Sequence, residues 1–187
     1  MVRAVPLRQL PNALTVLRLL AIPVFVWLLL EDRTGPSWPA GAVFGGAAVT
    51  DQIDGYLARR WRVESQFGRL ADPFADRVMI DTAVVLLVAL GRLPWAALVL
   101  PARDLVLVAG YRLVGPRGYA FEVNRLGKIA TWVLYASVAF VIVTREGTQW
   151  PLVLFWVGLG LAFLAGAQYV AKARREVGRE ERMQSEP

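Results

Sequence analysis

Apolar residues run along this chain in six long stretches, near residues 12–30, 39–59, 67–91, 93–113, 127–143 and 150–171, with polar connections between them. Each approaches the roughly 17–25 residues a helix needs to cross the hydrocarbon of a bilayer. The pattern predicts an all-α protein, an integral membrane bundle of six transmembrane helices. Charge interrupts the second and third stretches, so they stand apart from the other four. Residues 1–11 form a short basic juxtamembrane segment, with Val2, Val5, Leu7 and Leu10 giving it a partly apolar face suited to the membrane surface. Pro11 and Asn12 mark a helix start. The first stretch ends in Glu31-Asp32-Arg33 rather than at a small-residue cleavage site, so a retained helix is expected. The six-helix domain is expected over 12–171, followed by a polar tail over 172–187.

Composition sharpens this picture. Of 187 residues, 56% are hydrophobic and only 19% are charged, whereas soluble domains carry about a quarter charged residues. The formal charge is +6, and its placement says more than its sum. With the N-terminus inside, the cytoplasmic segments hold Arg3, Arg8, Arg60, Arg62, Arg112, Arg117, Arg125 and the cations of the tail. The outer connections hold only Arg33, Arg92 and Arg145. This is the bias of the positive-inside rule, and it predicts a multi-pass protein of the cell membrane with both termini cytoplasmic. No basic soluble module is visible, so nucleic acid is not an expected partner. The chain has no Cys and no His. Disulfides, His-based triads and His zinc sites are therefore excluded, and any chemistry must rest on carboxylates, cations, hydroxyls or metals.

The interrupted stretches carry that chemistry. Stretch two ends in Asp51-Gln-Ile-Asp54-Gly55-Tyr-Leu-Ala58-Arg59, and stretch three begins Gly68-Arg-Leu-Ala-Asp72-Pro-Phe-Ala-Asp76. Helical spacing puts Asp51, Asp54 and Ala58 along one face and stacks Gly68, Asp72 and Asp76 on successive turns. Asp51 lies nine residues before Arg60, and Asp76 nine after Phe67, roughly 13 Å along a helix in each case. All four carboxylates then sit at similar depth in the cytoplasmic half of the membrane. Unpaired acids there cost several kcal/mol each, so something cationic must compensate them. Oxygen-only ligands suit Mg²⁺, Mn²⁺ or Ca²⁺. Gly55 and Gly68 leave room for a ligand or for a neighbouring helix.

These residues, Asp51-x2-Asp54-Gly55-x2-Ala58-Arg59-x8-Gly68-x3-Asp72-x3-Asp76, resemble the signature of the CDP-alcohol phosphotransferases, with eight fixed residues in 26. Leu10-Pro11-Asn12-x-Leu14-Thr15-x2-Arg18 is similar to the start of the bacterial phosphatidylglycerophosphate synthases of that family. The resemblance covers roughly residues 8–170 and implies six membrane helices and a homodimer. It implies two divalent ions, Mg²⁺ or Mn²⁺, held by Asp51, Asp54, Asp72 and Asp76, with Asp76 also the general base. Gly55, Ala58, Arg59 and Gly68 would line a cytidine nucleotide pocket. The implied reaction moves a phosphatidyl group from CDP-diacylglycerol to an alcohol and releases CMP.

Cations in or beside the stretches favour an anionic acceptor, with Arg103, Arg112 and Lys128 as candidates to bind it. Arg103 could instead pair with Asp104 or Asp81, and Arg77, one turn from Asp81, is expected to pair with it. Glycerol 3-phosphate is the first acceptor, phosphatidylglycerol (a cardiolipin synthase) the second and inositol phosphate a third. Phosphatidylglycerophosphate synthases often show Gly-Lys-x-Lys-Thr at the opening of the fifth helix. This chain reads Gly127-Lys128-Ile129-Ala130-Thr131, without the second lysine. A divalent-cation channel or carrier is the remote alternative, since intramembrane acids also mark ion pathways. It leaves the Gly55/Ala58/Arg59/Gly68 frame unexplained.

Overall fold

A computed structural model describes residues 10–33, 35–61, 66–114 and 125–185, with side chains described over 16–33, 35–50, 77–106 and 125–168. The described residues form α-helices and no strand: α1 (Leu10–Glu31), α2 (Trp38–Trp61), α3 (Gln66–Ala89), α4 (Val99–Val114), α5 (Arg125–Val143) and α6 (Gln149–Ser185). The all-α expectation and the six helical stretches hold. Among the described residues, Arg125–Val143 and Gln149–Gln168 are long and apolar enough to cross a bilayer.

Local chemistry explains where the helices start and stop. Ser37 caps α2: its Oγ accepts from the Ala40 N–H at 3.4 Å and donates to the Asp32 carboxylate at 2.9 Å. After α3 the chain turns through Gly91, whose φ of 73° is in the left-handed region. The Gly91 N–H donates to Val88 O (3.0 Å) and the Arg92 N–H to Leu87 O (2.8 Å), the paired bonds of a Schellman cap. The fourth stretch, expected as one helix over 93–113, is divided into a 3₁₀ turn (Trp95–Leu98) followed by α4. Pro101 explains this, because in a continuous helix its ring would meet the Ala97 carbonyl and it has no N–H to donate.

Hydrogen bonds gather alternate helix ends at one end of the bundle. The Ser37 N–H, before α2, donates to Ile142 O at the end of α5 (3.0 Å). Arg92, after α3, extends its guanidinium to carbonyls of the α1–α2 loop and the α5 terminus: Gly35 (3.1 Å), Val141, Ile142 (3.3 Å) and Thr144 (2.7 Å). It is buried, 8% exposed. From its sequence position Arg92 counts as one more outer-face cation. In the fold it neutralises the carbonyls that end α5, where the helix dipole also favours positive charge.

The core lies between α1, α2, α3 and α5, with α6 packed along α5. Phe25, Phe44 and Tyr135 form an aromatic column through α1, α2 and α5, with centroids 5.6 and 5.4 Å apart. Gly158 lets α6 approach α5 closely, since a Cβ there would lie 3.1 Å from the Leu134 backbone nitrogen. The outside is apolar, with Leu17, Leu20, Leu105, Val106, Val153 and Leu164 all exposed. Arg18, Arg92, Asp104, Ser37 and Ser137 are buried. A soluble domain shows the opposite distribution.

Candidate functional site

The aspartates stand on helical backbone as their spacing requires. Asp51 and Asp54 lie on α2, Asp72 and Asp76 on α3. At 100° per residue each pair falls within about 60° of a common face. Asp51 precedes the end of α2 by ten residues and Asp76 follows the start of α3 by ten, about 15 Å in each case. The two helices are linked through residues 62–65, so those ends lie no more than roughly 18 Å apart. The side chains of Asp51, Asp54, Gly55, Ala58, Arg59, Gly68, Asp72, Asp76 and Arg112 lie outside the described residues.

Next to Asp76 the described side chains begin, and they begin with charge. Arg77 Nη1 lies 2.6 Å from Asp104 Oδ1, across the α3–α4 interface. This corrects the expected Arg77–Asp81 pairing. Spacing along α3 brings Arg77 and Asp81 near each other, but the tertiary packing offers Arg77 a better-buried anion. Asp104 is 2% exposed, and without a cation it would be far costlier to bury than Asp81. Arg103 Nη1 stands 3.4 Å from the same Oδ1, its Nη2 donates to Ala162 O on α6 at 3.1 Å, and its guanidinium lies 5.7 Å over the Phe163 ring. The pairing of Arg103 with Asp104 therefore forms as one of its two expected partners allowed.

Among the described residues, Asp81 Oδ1 and Asp104 Oδ2 are buried without a hydrogen-bond partner. Asp81 and Thr82 also line an open groove with Val26, Val78, Val85 and Leu86, between α1 and α3. Lys128 is exposed on the first turn of α5, beside Arg125. Ala130, where a second lysine would stand, is 1% exposed.

Sequence reasoning missed Asp104 as a junction of three helices. Its only signal was an Arg-Asp dipeptide inside an apolar run, which in a membrane segment calls for a partner without naming it. No group of three or more acids occurs among the described residues. Beside Asp76 the described charges are thus Arg77 and Arg103, gathered on the Asp104 carboxylate.

The family profile described as CDP-alcohol phosphatidyltransferase matches residues 8–164. The chain belongs to that family. It is an enzyme, a phosphatidyltransferase of phospholipid biosynthesis, and its family is membrane-bound and generally dependent on divalent metals. A CDP-diacylglycerol–glycerol-3-phosphate 3-phosphatidyltransferase of Cereibacter sphaeroides is 33% identical over 88% of this chain and 95% of its own length. A CMP-forming cardiolipin synthase of Streptomyces coelicolor is 36% identical, covering 90% of this chain and 84% of its own. A Pseudomonas fluorescens protein with the same name as the first is 38% identical over 83% of this chain and 80% of its own.

Proposed function

We propose that this phosphatidyltransferase moves the phosphatidyl group of CDP-diacylglycerol to glycerol 3-phosphate, forming phosphatidylglycerophosphate and releasing CMP. The observation that carries an anionic acceptor is the Arg77–Asp104 contact of 2.6 Å. It brings the Arg103–Asp104 turn of α4 beside the Asp76–Arg77 turn of α3, with Arg112 about two turns further along α4. Two relatives named for glycerol 3-phosphate support the same acceptor.

Asp51, Asp54, Asp72 and Asp76 are the residues to hold the metals, and the donor set fits: four carboxylates on two helices, oxygen only, as hard divalent cations require. When bound, two Mg²⁺ or Mn²⁺ ions supply positive charge at the diphosphate. Gly55, Ala58, Arg59 and Gly68 bind the cytidine nucleotide. Asp76 accepts the proton of the acceptor hydroxyl as that oxygen bonds to the lipid-bearing phosphorus. The bond from this phosphorus to the CMP oxygen breaks, and CMP departs to the cytoplasm. Arg103, Arg112 and Lys128 hold the acceptor's phosphate.

The domain runs over 12–171 with six spans, between a juxtamembrane segment at 1–11 and a cytoplasmic tail at 172–187. The protein lies in the cell membrane as a homodimer, with both termini and the site cytoplasmic. Exposed Trp38, Trp95 and Trp150 cluster at the end of the bundle opposite the α2–α3 connection, which supports a membrane–water boundary there. Arg33, Arg92 and Arg145 are the cations described at that end, few beside those expected at the other, which supports the proposed orientation. The 37-residue α6 is about 55 Å long, well beyond the roughly 30 Å hydrocarbon, and this supports a tail projecting from the bilayer.

Phosphatidylglycerol is the second acceptor. The buried Ala130 in place of a lysine favours it, as does the cardiolipin synthase relative. The test is CMP release by purified protein in detergent micelles with CDP-diacylglycerol and Mg²⁺ or Mn²⁺, comparing the two acceptors. Release stimulated by glycerol 3-phosphate and abolished by a chelator is the expected result. Stimulation by phosphatidylglycerol alone would reassign the acceptor. Silence with both would turn attention to inositol phosphate as the acceptor.

A further inference from the structure

We propose that Asp104 is a positioning residue for the phosphatidyl transfer. Through Arg77 it fixes the rotation and height of α3, and so of Asp72 and Asp76, against α4. The proposal rests on the function proposed above. Asp104 Oδ1 receives Arg77 from α3 at 2.6 Å and Arg103 from its own helix at 3.4 Å. Arg103 is in turn tied to α6 through Ala162 O at 3.1 Å and the Phe163 ring. One carboxylate oxygen thus joins α3 to a frame built from α4 and α6.

The neighbouring contacts are mostly apolar. Met79, Ile80 and Ala83 on α3 and Leu100 on α4 belong to the buried cluster, and such surfaces tolerate small slides and rotations. An ion pair of this length is directional. Asp104 is 2% exposed, and a carboxylate buried in a membrane interior cannot give up its cation cheaply. Arg77 directly follows Asp76, so one residue of helix, about 1.5 Å and 100°, separates the held position from the proposed base. A small rotation of α3 at Arg77 is therefore nearly the same rotation at Asp76, and misplacements of about 1 Å are enough to cost catalysis heavily.

The experiment compares Asp104→Asn, Arg77→Met, the double variant and Arg77→Lys, as full-length protein in detergent micelles. CMP release is measured with CDP-diacylglycerol, Mg²⁺ and whichever acceptor the unaltered protein uses, and thermal unfolding is followed in parallel. Each single variant should lower kcat about 10- to 100-fold with the acceptor KM within about threefold. The double variant should be no worse than the poorer single, because the two side chains act as one unit. Arg77→Lys should stay as stable as the parent but lose about two- to fivefold in kcat, since an ammonium keeps the charge and not the fork.

A raised acceptor KM with kcat intact would overturn the proposal, placing Asp104 in acceptor binding through Arg103. Losses that multiply in the double variant, or unchanged kcat in Asp104→Asn, would also overturn it. If the single variants do not fold, Arg77→Lys decides alone, and an unchanged kcat there overturns it. If the unaltered protein releases no CMP with any acceptor, the proposed function fails instead. The unfolding cycle then still reads the contact: coupling supports the Arg77–Asp104 unit and additivity overturns it.

Discussion

Replacing Arg92 with Met tests whether the buried guanidinium holds one end of the bundle together. The substitution keeps much of the side-chain length and removes every donor. Four carbonyls lose a partner, but unequally. Ile142 O keeps the Ser37 N–H at 3.0 Å. The bonds to Gly35 and Thr144 are only partly buried, so water can replace the guanidinium there. The bond to Val141 O is buried, so water replaces the guanidinium there least readily. Burial pushes the Arg92 guanidinium below its ordinary pKa, with Glu146 opposing the shift, so part of its bonding energy is offset by desolvation. One charged hydrogen bond lost at a buried carbonyl, together with the helix-end charge term, comes to about 2–4 kcal/mol. For a chain of this size that is a fall of about 4–16 °C in Tm. Thermal unfolding in detergent micelles measures it, with Arg92→Lys expected between the parent and Arg92→Met because a single ammonium cannot reach all the carbonyls. A Tm within about 2 °C of the parent for Arg92→Met would refute the reasoning, showing that water or the dipoles themselves suffice.

Four other outcomes are expected. Asp76→Asn should retain Mn²⁺ binding, followed by isothermal titration, while turnover falls by about 100-fold or more, and a fully active variant would remove it as the base. Lys128→Ala should raise the apparent acceptor KM with little change in kcat, and an unchanged KM would move the acceptor's phosphate elsewhere. Gly158→Leu should destabilise the protein by about 1–3 kcal/mol in the same unfolding assay, because α6 cannot come as close to Leu134 once a side chain intervenes. The natural absence of cysteine permits single-cysteine labelling: Glu146→Cys should react with an impermeant maleimide in intact cells, and protection there would invert the proposed orientation.

Much of the architecture was readable from residues in a line. A helix and a membrane both impose one-dimensional rules, so apolar stretches gave most helix bounds to within two residues, though α4 begins six residues after the expected start and α6 runs on through the polar tail to Ser185. The spacing of Asp51, Asp54, Asp72 and Asp76 depends on helical period alone, and α2 and α3 carry them with that period. The 3₁₀ turn before α4 was also written in the chain, in Pro101, but an apolar run hides a break that depends on one missing N–H.

Partnerships between helices were not readable in this way. Arg77 has Asp81 one turn away along α3, yet pairs with Asp104, 27 positions on in the sequence. Arg92 sits in a connection where a solvated cation is the ordinary outcome, yet it closes the end of α5. Both depend on which faces meet and at what height, and those are set by the sum of many weak apolar contacts such as Phe25, Phe44 and Tyr135. Sequence spacing determined which residues share a helix face and how far along the helix they stand. Only the packed bundle decided which buried charge found which partner, because in an apolar interior a charge is held by whatever opposite group the neighbouring helix brings within reach.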